Sequence, residues 1–379
     1  MEFHKGQYGY DLTQLQEHYS TIELVAGSSR LVVVPEFQGR VMTSTTSGEA
    51  GYSFGWINHD LLGSSELSEQ FNPFGGEERF WIGPEGGQFS FYFEPGKPMT
   101  MGNWRVPAAI DSMPWDVIEA NQETATFRKS FDLTNYSGNE FAMEITRRVS
   151  IIDPIELEEF LPIQLDESVR VVAYESLNQL KNTGATEWNK ETGMPSIWML
   201  SMYQPSPEVT LVVPYKKEGE GTVVTDDYFG KVPEDRIAVD DVAVYLKADG
   251  KHRSKIGISP QRALPVLGSY DAQNQCLTIL LCSLDSTSAD YVNSSWEEVQ
   301  AEPFKGDAIN AYNDGPLADG SQLGPFYELE SSSSAAALKA GEVKMHFQRT
   351  FHFEGDEAAL NPIAEKLLGV SIQTIKSKL

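Results

Sequence analysis

Two glutamates set two residues apart, Glu328 and Glu330 in the run YELES, are well spaced for acid–base work. In a strand, residues at i and i+2 point to one face, and two close carboxyls raise one another's pKa. That is how a general acid or base is poised near neutrality. The plainer alternative is that both face water on a sheet surface. A second segment, FNPFGGEERFWIGPEGGQFSFYF from Phe71 to Phe93, sets Glu77, Glu78, Arg79 and Glu85 among aromatic residues and glycines. Aromatic faces suit the apolar C–H face of a sugar ring, and Arg or carboxylate groups make charge-assisted hydrogen bonds to its hydroxyls. Asn72, Glu78, Arg79, Trp81 and Glu85 are therefore the candidate substrate-binding residues. The alternative here is a glycine-rich loop fastened by an Arg–Glu pair.

A third cluster is basic. Lys247, Lys251, His252, Arg253 and Lys255 lie together in a chain that is otherwise very acidic. Such a local field could hold an acidic sugar or a sugar phosphate; a solvated hairpin tip is the bland alternative. No paired-Cys motif, His-Glu-x-x-His helix or calcium loop occurs, so neither a metal nor any other cofactor is expected.

The elements that must position these groups read mainly as strands. RLVVVPEFQGRVMTSTT looks like two strands joined at Pro35 to Gly39, and QFSFYFEPG alternates like another. TATFRKSFDLTNYSGNEFAMEITRRVSII reads as a hairpin turning at Asn135 to Asn139. VRVVAYESL, EVTLVVPY, IAVDDVAVYL, CLTILLC and VKMHFQRTFHF follow. In the last of these His346 and His352 share one side, and Val343, Met345, Phe347, Phe351 and Phe353 the other. Helix signals are few: Asp11 as a cap for Gln14 to His18, and DEAALNPIAEKLL near the end. Many short strands with Gly, Pro and Asn turns, and no βα alternation, predict an all-β fold, a large antiparallel sandwich with a few short helices. Residues 1–379 are expected to form one domain, because large sandwiches exceed the usual domain size.

The 379 residues are 40% apolar, enough for a sizeable core. The formal charge of −26 repels phosphate backbones and anionic lipids, which argues against nucleic-acid and membrane partners. No run approaches the ~20 apolar residues of a membrane span, and the N-terminus does not resemble a signal peptide. A soluble protein is expected, cytoplasmic in preference to periplasmic. Cys276 and Cys282 lie along one strand, roughly 20 Å apart, whereas a disulfide needs about 6 Å.

The segment GPFYELESSSSAAALKAGEVKMHFQRTFHF resembles the late part of aldose 1-epimerases, the galactose mutarotases. Leu329-Glu330-Ser331 stands where that family has Leu-Glu-Thr. Leu338 to Glu342 stands where it has a Leu-x-Pro-Gly-Glu turn, and Phe351-His352-Phe353 closes the last strand. GGEERFWIGPEGG is similar to a Gly-Gly-Asp-Arg-Leu-Trp-x-x-Pro-Glu signature of uncharacterised bacterial mutarotase-like proteins. YESLNQLKNTG (Tyr174 to Gly184) looks like the family's central strand, while Glu187 to Ala263 has no counterpart. The resemblance implies a galactose-mutarotase-like supersandwich, a mono- or oligosaccharide partner, and Glu330 as the base at the anomeric hydroxyl. It also implies a catalytic histidine, yet SIWMLSMYQPS (Ser196 to Ser206), where it would fall, contains none. His252, Glu78 and Glu85 are the candidate replacements for that acid. An enzyme at the anomeric carbon is thus expected, with two alternatives: a non-catalytic sugar-recognition protein, and a glycoside hydrolase or lyase.

Overall fold

The computed structural model describes residues 2–379. The strand-forming runs pair antiparallel into sheets of three, ten and five strands. The N-terminal sheet comprises Ile22–Ala26, Ser29–Val34 and Arg40–Thr45, and the last two are joined by a 3-10 turn at Pro35–Phe37. That turn reverses at Gln38 and Gly39, both with φ of 62°, a left-handed backbone that favours glycine. A side chain at Gly39 would also meet the Phe127 ring.

Long strands form the ten-stranded sheet. Across it lie Ile237–Val239, Ala243–Lys247, Val209–Pro214, Val266–Asp271, Cys276–Cys282, Val343–Glu354, Arg170–Asn182, Glu140–Ile152, Thr124–Thr134 and Asp116–Ala120. The five-stranded sheet runs Ser254–Ile258, Ile309–Asn313, Tyr327–Ser332, Ser196–Tyr203 and Arg79–Gly83. Ile256, Ile309, Ala311, Leu329 and Tyr203 pack with Leu211, Val213, Leu246 and Leu280 of the larger sheet. Burying both inner faces is what makes the sandwich. The helix Glu357–Leu368 is capped by Asp356, whose Oδ1 accepts from the Ala359 N–H at 2.9 Å. It covers Phe351, Phe353 and Ile279 on the outer side of the ten-stranded sheet. Among the described residues no helix is long and apolar enough to cross a membrane.

Part of the layer between the sheets is polar. Arg147 and Glu78 are both fully buried, and Arg147 Nη2 meets Glu78 Oε1 at 2.7 Å. Arg147 also donates to Asn178 Oδ1 and to the Gly39 carbonyl. Gln348 Nε2 donates to Glu78 Oε2 and to Ser201 Oγ, both at 2.9 Å, and Ser331 Oγ donates to Gln348 Oε1. His346 shares a hydrogen bond with Ser331, and burial lowers its pKa to about 3, so the ring stays neutral. His352 lies on the same side, stacked on Phe54 and bonded to Glu77. The histidine side of the last long strand therefore faces inward, and the exposed Val343 and Met345 lie on the other.

Three local expectations are corrected. Gln88 to Gly96 is not a strand; Phe89, Phe91, Tyr92 and Phe93 are all buried, and Ser90 and the Tyr92 hydroxyl (to the Ile82 carbonyl) pin the loop. The irregular backbone lets these near-consecutive aromatics enter the core together instead of alternating between two faces. Asp11 lies inside the helix Tyr8–Gln16, where it bonds Ser53 and His59 rather than capping. IAVDDVAVYL is two strands, broken where Asp240 accepts from the backbone of Val242 and Ala243. Cys276 and Cys282 sit in one strand as free thiols, as their spacing requires.

The Arg147–Glu78 pair yields a stability prediction. Arg147→Met would leave a buried carboxylate unpaired and should cost about 3–5 kcal/mol in urea unfolding. A loss below ~1 kcal/mol would mean that Glu78 is not left as an uncompensated buried charge.

Candidate functional site

The pairing register gives the five-stranded sheet two chemically different faces. Directly paired residues share a face, so Glu330 lies with Leu200, Arg79 and Asn310, and Glu328 with Met202, Tyr312 and Lys255. Trp198 and Trp81 are paired with each other and with Ser332 on the same side. The residues between them, such as Ile197, Leu329 and Ile256, face the core. One sheet therefore carries a mainly apolar inner face, interrupted by Ser201 and Ser331 of the buried network, and an outer face that bears carboxylates, cations and indoles.

Loops close over that outer face and leave a cavity of about 720 Å³, lined among others by Glu85, Trp198, Tyr228, Lys255, Trp296 and Asp307. A smaller chamber of about 170 Å³ adjoins it and shares Glu85, Trp198, Arg253 and Lys255. Its remaining walls are largely aromatic, including Phe71, Trp81, Trp104 and Phe326, together with Arg79 and Glu328. Sugar sites of many kinds pair rings with charged groups in this way.

Glu330 is fully buried. Its Oε2 accepts from Lys255 Nζ and from Trp198 Nε1, each at 2.9 Å, while Oε1 has no partner. Lys255 and Trp198 line the cavity, so they stand between Glu330 and the open space. The ammonium also lies 4.9 Å from the centre of the Trp198 ring, a cation–π contact. Arg79 Nη2 meets Glu328 Oε1 at 2.9 Å, and its guanidinium carbon lies 4.2 Å from the Trp81 ring centre. Glu328 and Glu330 thus share one face, each held by its own cation.

Burial dominates the electrostatics. It pushes the Glu85 carboxyl above its ordinary 4.5, while Lys255 and a hydrogen bond from Trp296 pull the other way. Asp307 is raised by burial too, although Tyr228 and Thr225 donate to it. Tyr228 in turn accepts from Asn310 Nδ2 at 3.2 Å. Burial takes Glu328 from 4.5 to about 8; Arg79 lowers it, and Glu330 adds to the rise.

Of the residues expected from sequence, Arg79, Trp81, Glu85 and Glu328 line the cavity or its chamber, and Glu330 lies directly behind. Three do not. Glu78 is committed to Arg147 and Gln348 between the sheets. Asn72 is held by Asp111 and Ser68, beside the lining residues Phe71 and Pro73. His252 is exposed, with its ring on Ser254, because alternation along the strand edge sends Arg253 and Lys255 to the site. The basic patch thus reaches the cavity through its neighbours. Trp198, Tyr228, Trp296 and Asp307 escaped the sequence reading. Alternation in SIWMLSMY could have singled out Trp198; the others sit in loops with no local signal.

The fold is that of the galactose-mutarotase-like proteins. A candidate aldose 1-epimerase from Escherichia coli K12 superimposes with a TM-score of 0.54 at 10% identity, over 88% of this chain and 99% of that one. The Slr1438 protein from Synechocystis sp. PCC 6803 gives 0.51 at 14% identity, over 89% and 97%. A galactose mutarotase-like protein from Lactobacillus casei ATCC 334 gives 0.50 at 10% identity, over 88% and 100%. Residues 6–379 match the model of a family of unknown function, DUF6786, and the chain belongs to that family. No curated protein matches it in sequence.

The raised Glu328 carboxyl predicts a pH effect on stability. Between its unfolded value of 4.5 and about 8, the folded state holds a proton that the unfolded chain has lost. Stability therefore falls as pH rises through that window, and the penalty is absent below it. Glu328→Gln cannot ionise, so its unfolding midpoint in urea should fall less between pH 5 and 8 than the wild type's. Parallel slopes would remove Glu328 as the titrating group.

Proposed function

We propose that this protein binds a sugar in the cavity over the five-stranded sheet and moves protons at its anomeric carbon. The observation that carries the reading is the placement of Glu85 and the Lys255–Glu330 pair around one aromatic-walled cavity. Glu85 is pushed towards keeping its proton, whereas Glu330 is held by an ammonium and an indole N–H. Two carboxyls in environments that differ this much can divide the acid and base roles.

In the proposed reaction, Glu330 takes the proton from the anomeric hydroxyl through Oε1, the oxygen left without a partner. The C1–O5 bond breaks as the C1 carbonyl forms, and Glu85 gives its proton to O5. Rotation about C1–C2 and reversal of the same transfers close the ring on the other face, with no net gain or loss of atoms. Lys255 must swing from Glu330 to admit the hydroxyl, a rearrangement expected where catalytic hydrogen bonds form only with substrate bound. Trp198 and Trp296 would stack on the ring.

A second reading, sugar recognition without turnover, is favoured by one observation. No residue lining the cavity or its chamber is a histidine, the group the mutarotase resemblance implies as acid.

The test follows anomer exchange by NMR in a panel of neutral and acidic sugars. The wild type should accelerate exchange of at least one, and Glu330→Gln or Glu85→Gln should lower that rate by ~100-fold or more. Binding constants of the variants should stay within a few-fold. Unchanged rates would remove these carboxyls from the mechanism. Binding without exchange would favour recognition, and a cleaved glycosidic bond would favour a hydrolase.

A further inference from the structure

Arg253 is the unusual cation of this site. The chain has 55 acidic against 29 basic residues, yet one of the described cations facing this site stands without a carboxylate partner. Among the described residues, Arg79 pairs with Glu328 and Lys255 with Glu330, yet Arg253 makes no ion pair. It is nevertheless held firmly. Its guanidinium carbon lies 3.7 Å from the centre of the Phe229 ring, and its Nε donates to the Tyr312 hydroxyl at 3.2 Å. The Tyr312 hydroxyl donates to Asp314 Oδ1 at 2.5 Å, which leaves its oxygen as an acceptor for Arg253. The two terminal nitrogens, Nη1 and Nη2, have no hydrogen-bond partner among the described residues. Arg253 lines both the main cavity and the aromatic chamber, and so stands where they meet.

We propose that Arg253 is the anchor for a carboxylate on the ligand, and that the sugar this protein takes is a sugar acid. The inference rests on the sugar-binding reading above. A guanidinium stacked on one face and tied through Nε presents its Nη1–Nη2 edge, a planar fork that matches the two oxygens of a carboxylate. The charge balance also selects a single negative charge. Four carboxyl groups line the same cavity, Glu85, Asp227, Glu297 and Asp307, of which burial pushes Glu85 and Asp307 towards protonation, so a dianionic phosphate would meet more repulsion there than a monoanion does. A neutral hexose would offer the fork only hydroxyl oxygens, without the opposite charge or the paired geometry of a carboxylate.

Calorimetric titration with glucose, glucuronate, galactose, galacturonate and glucose 6-phosphate tests this at pH 7 and low salt. One uronate should bind at least about tenfold tighter than its parent hexose, the smallest gain expected of a bidentate charge-assisted pair. Arg253→Met should bring that ratio close to one. Arg253→Lys keeps the charge but not the fork; it should lose most of the preference and serves as the readout if the Met variant does not fold. Equal binding of hexose and uronate by the wild type overturns the proposal while leaving the sugar reading intact. So does a preference that survives in both variants. Tighter binding of the phosphate overturns the carboxylate assignment, and no binding by any of these sugars overturns both readings.

Discussion

The buried pair of Arg147 and Glu78 is the contact around which the other parts are arranged. A guanidinium taken out of water must find acceptors for its donors, and here they come from the N-terminal hairpin, the ten-stranded sheet and the segment entering the five-stranded one. Through Gln348 and Ser331 the network continues into the strand that bears both candidate glutamates. Fixing Glu78 inward has a geometric result: the next residue, Arg79, begins a strand and faces the other way. Trp81 then follows on the Arg79 side. One buried ion pair therefore sets the direction of the segment that walls the aromatic chamber.

The five-stranded sheet divides the work between core and chemistry. Its inner residues are mainly apolar and close the sandwich, so its strands cannot slip by one residue without turning Glu328, Glu330 and Lys255 towards the core. That constraint protects the site as firmly as it protects the fold. The same logic explains why His252 is off the site and its neighbours are on it. A strand can offer the cavity only every second side chain, and here it offers Arg253 and Lys255.

A chain with a net charge of −26 has built a pocket in which charge is nearly balanced. Glu330 meets Lys255, and burial pushes Glu85, Asp307 and Glu328, the last beside Arg79, towards their protonated forms. An acidic surface repels polyanions at long range, whereas an unpaired cation in a cavity sets up a local field of the opposite sign. Local pairing and desolvation, not the overall charge, define what can enter.

The sequence by itself determined the β architecture and the pairing of site residues along single strands. Turn residues at Asn135 to Asn139, the alternation in VKMHFQRTFHF and the two-residue spacing of Glu328 and Glu330 are local facts, and local stereochemistry carries them directly into structure. The resemblance around Leu329-Glu330-Ser331 pointed to the fold that the superpositions bear out. Only the tertiary structure decided which of these residues meet. Glu78 and Arg79 are adjacent and equally polar, yet one is spent holding sheets together and the other lines the site. Tyr228 and Asp307 are 79 positions apart and touch. Which face of a strand is buried depends on what the rest of the chain packs against it, and a polar interior such as the His346 side inverts the usual rule. Contacts between distant loops, and the pKa shifts that burial imposes on them, exist only once the chain has closed.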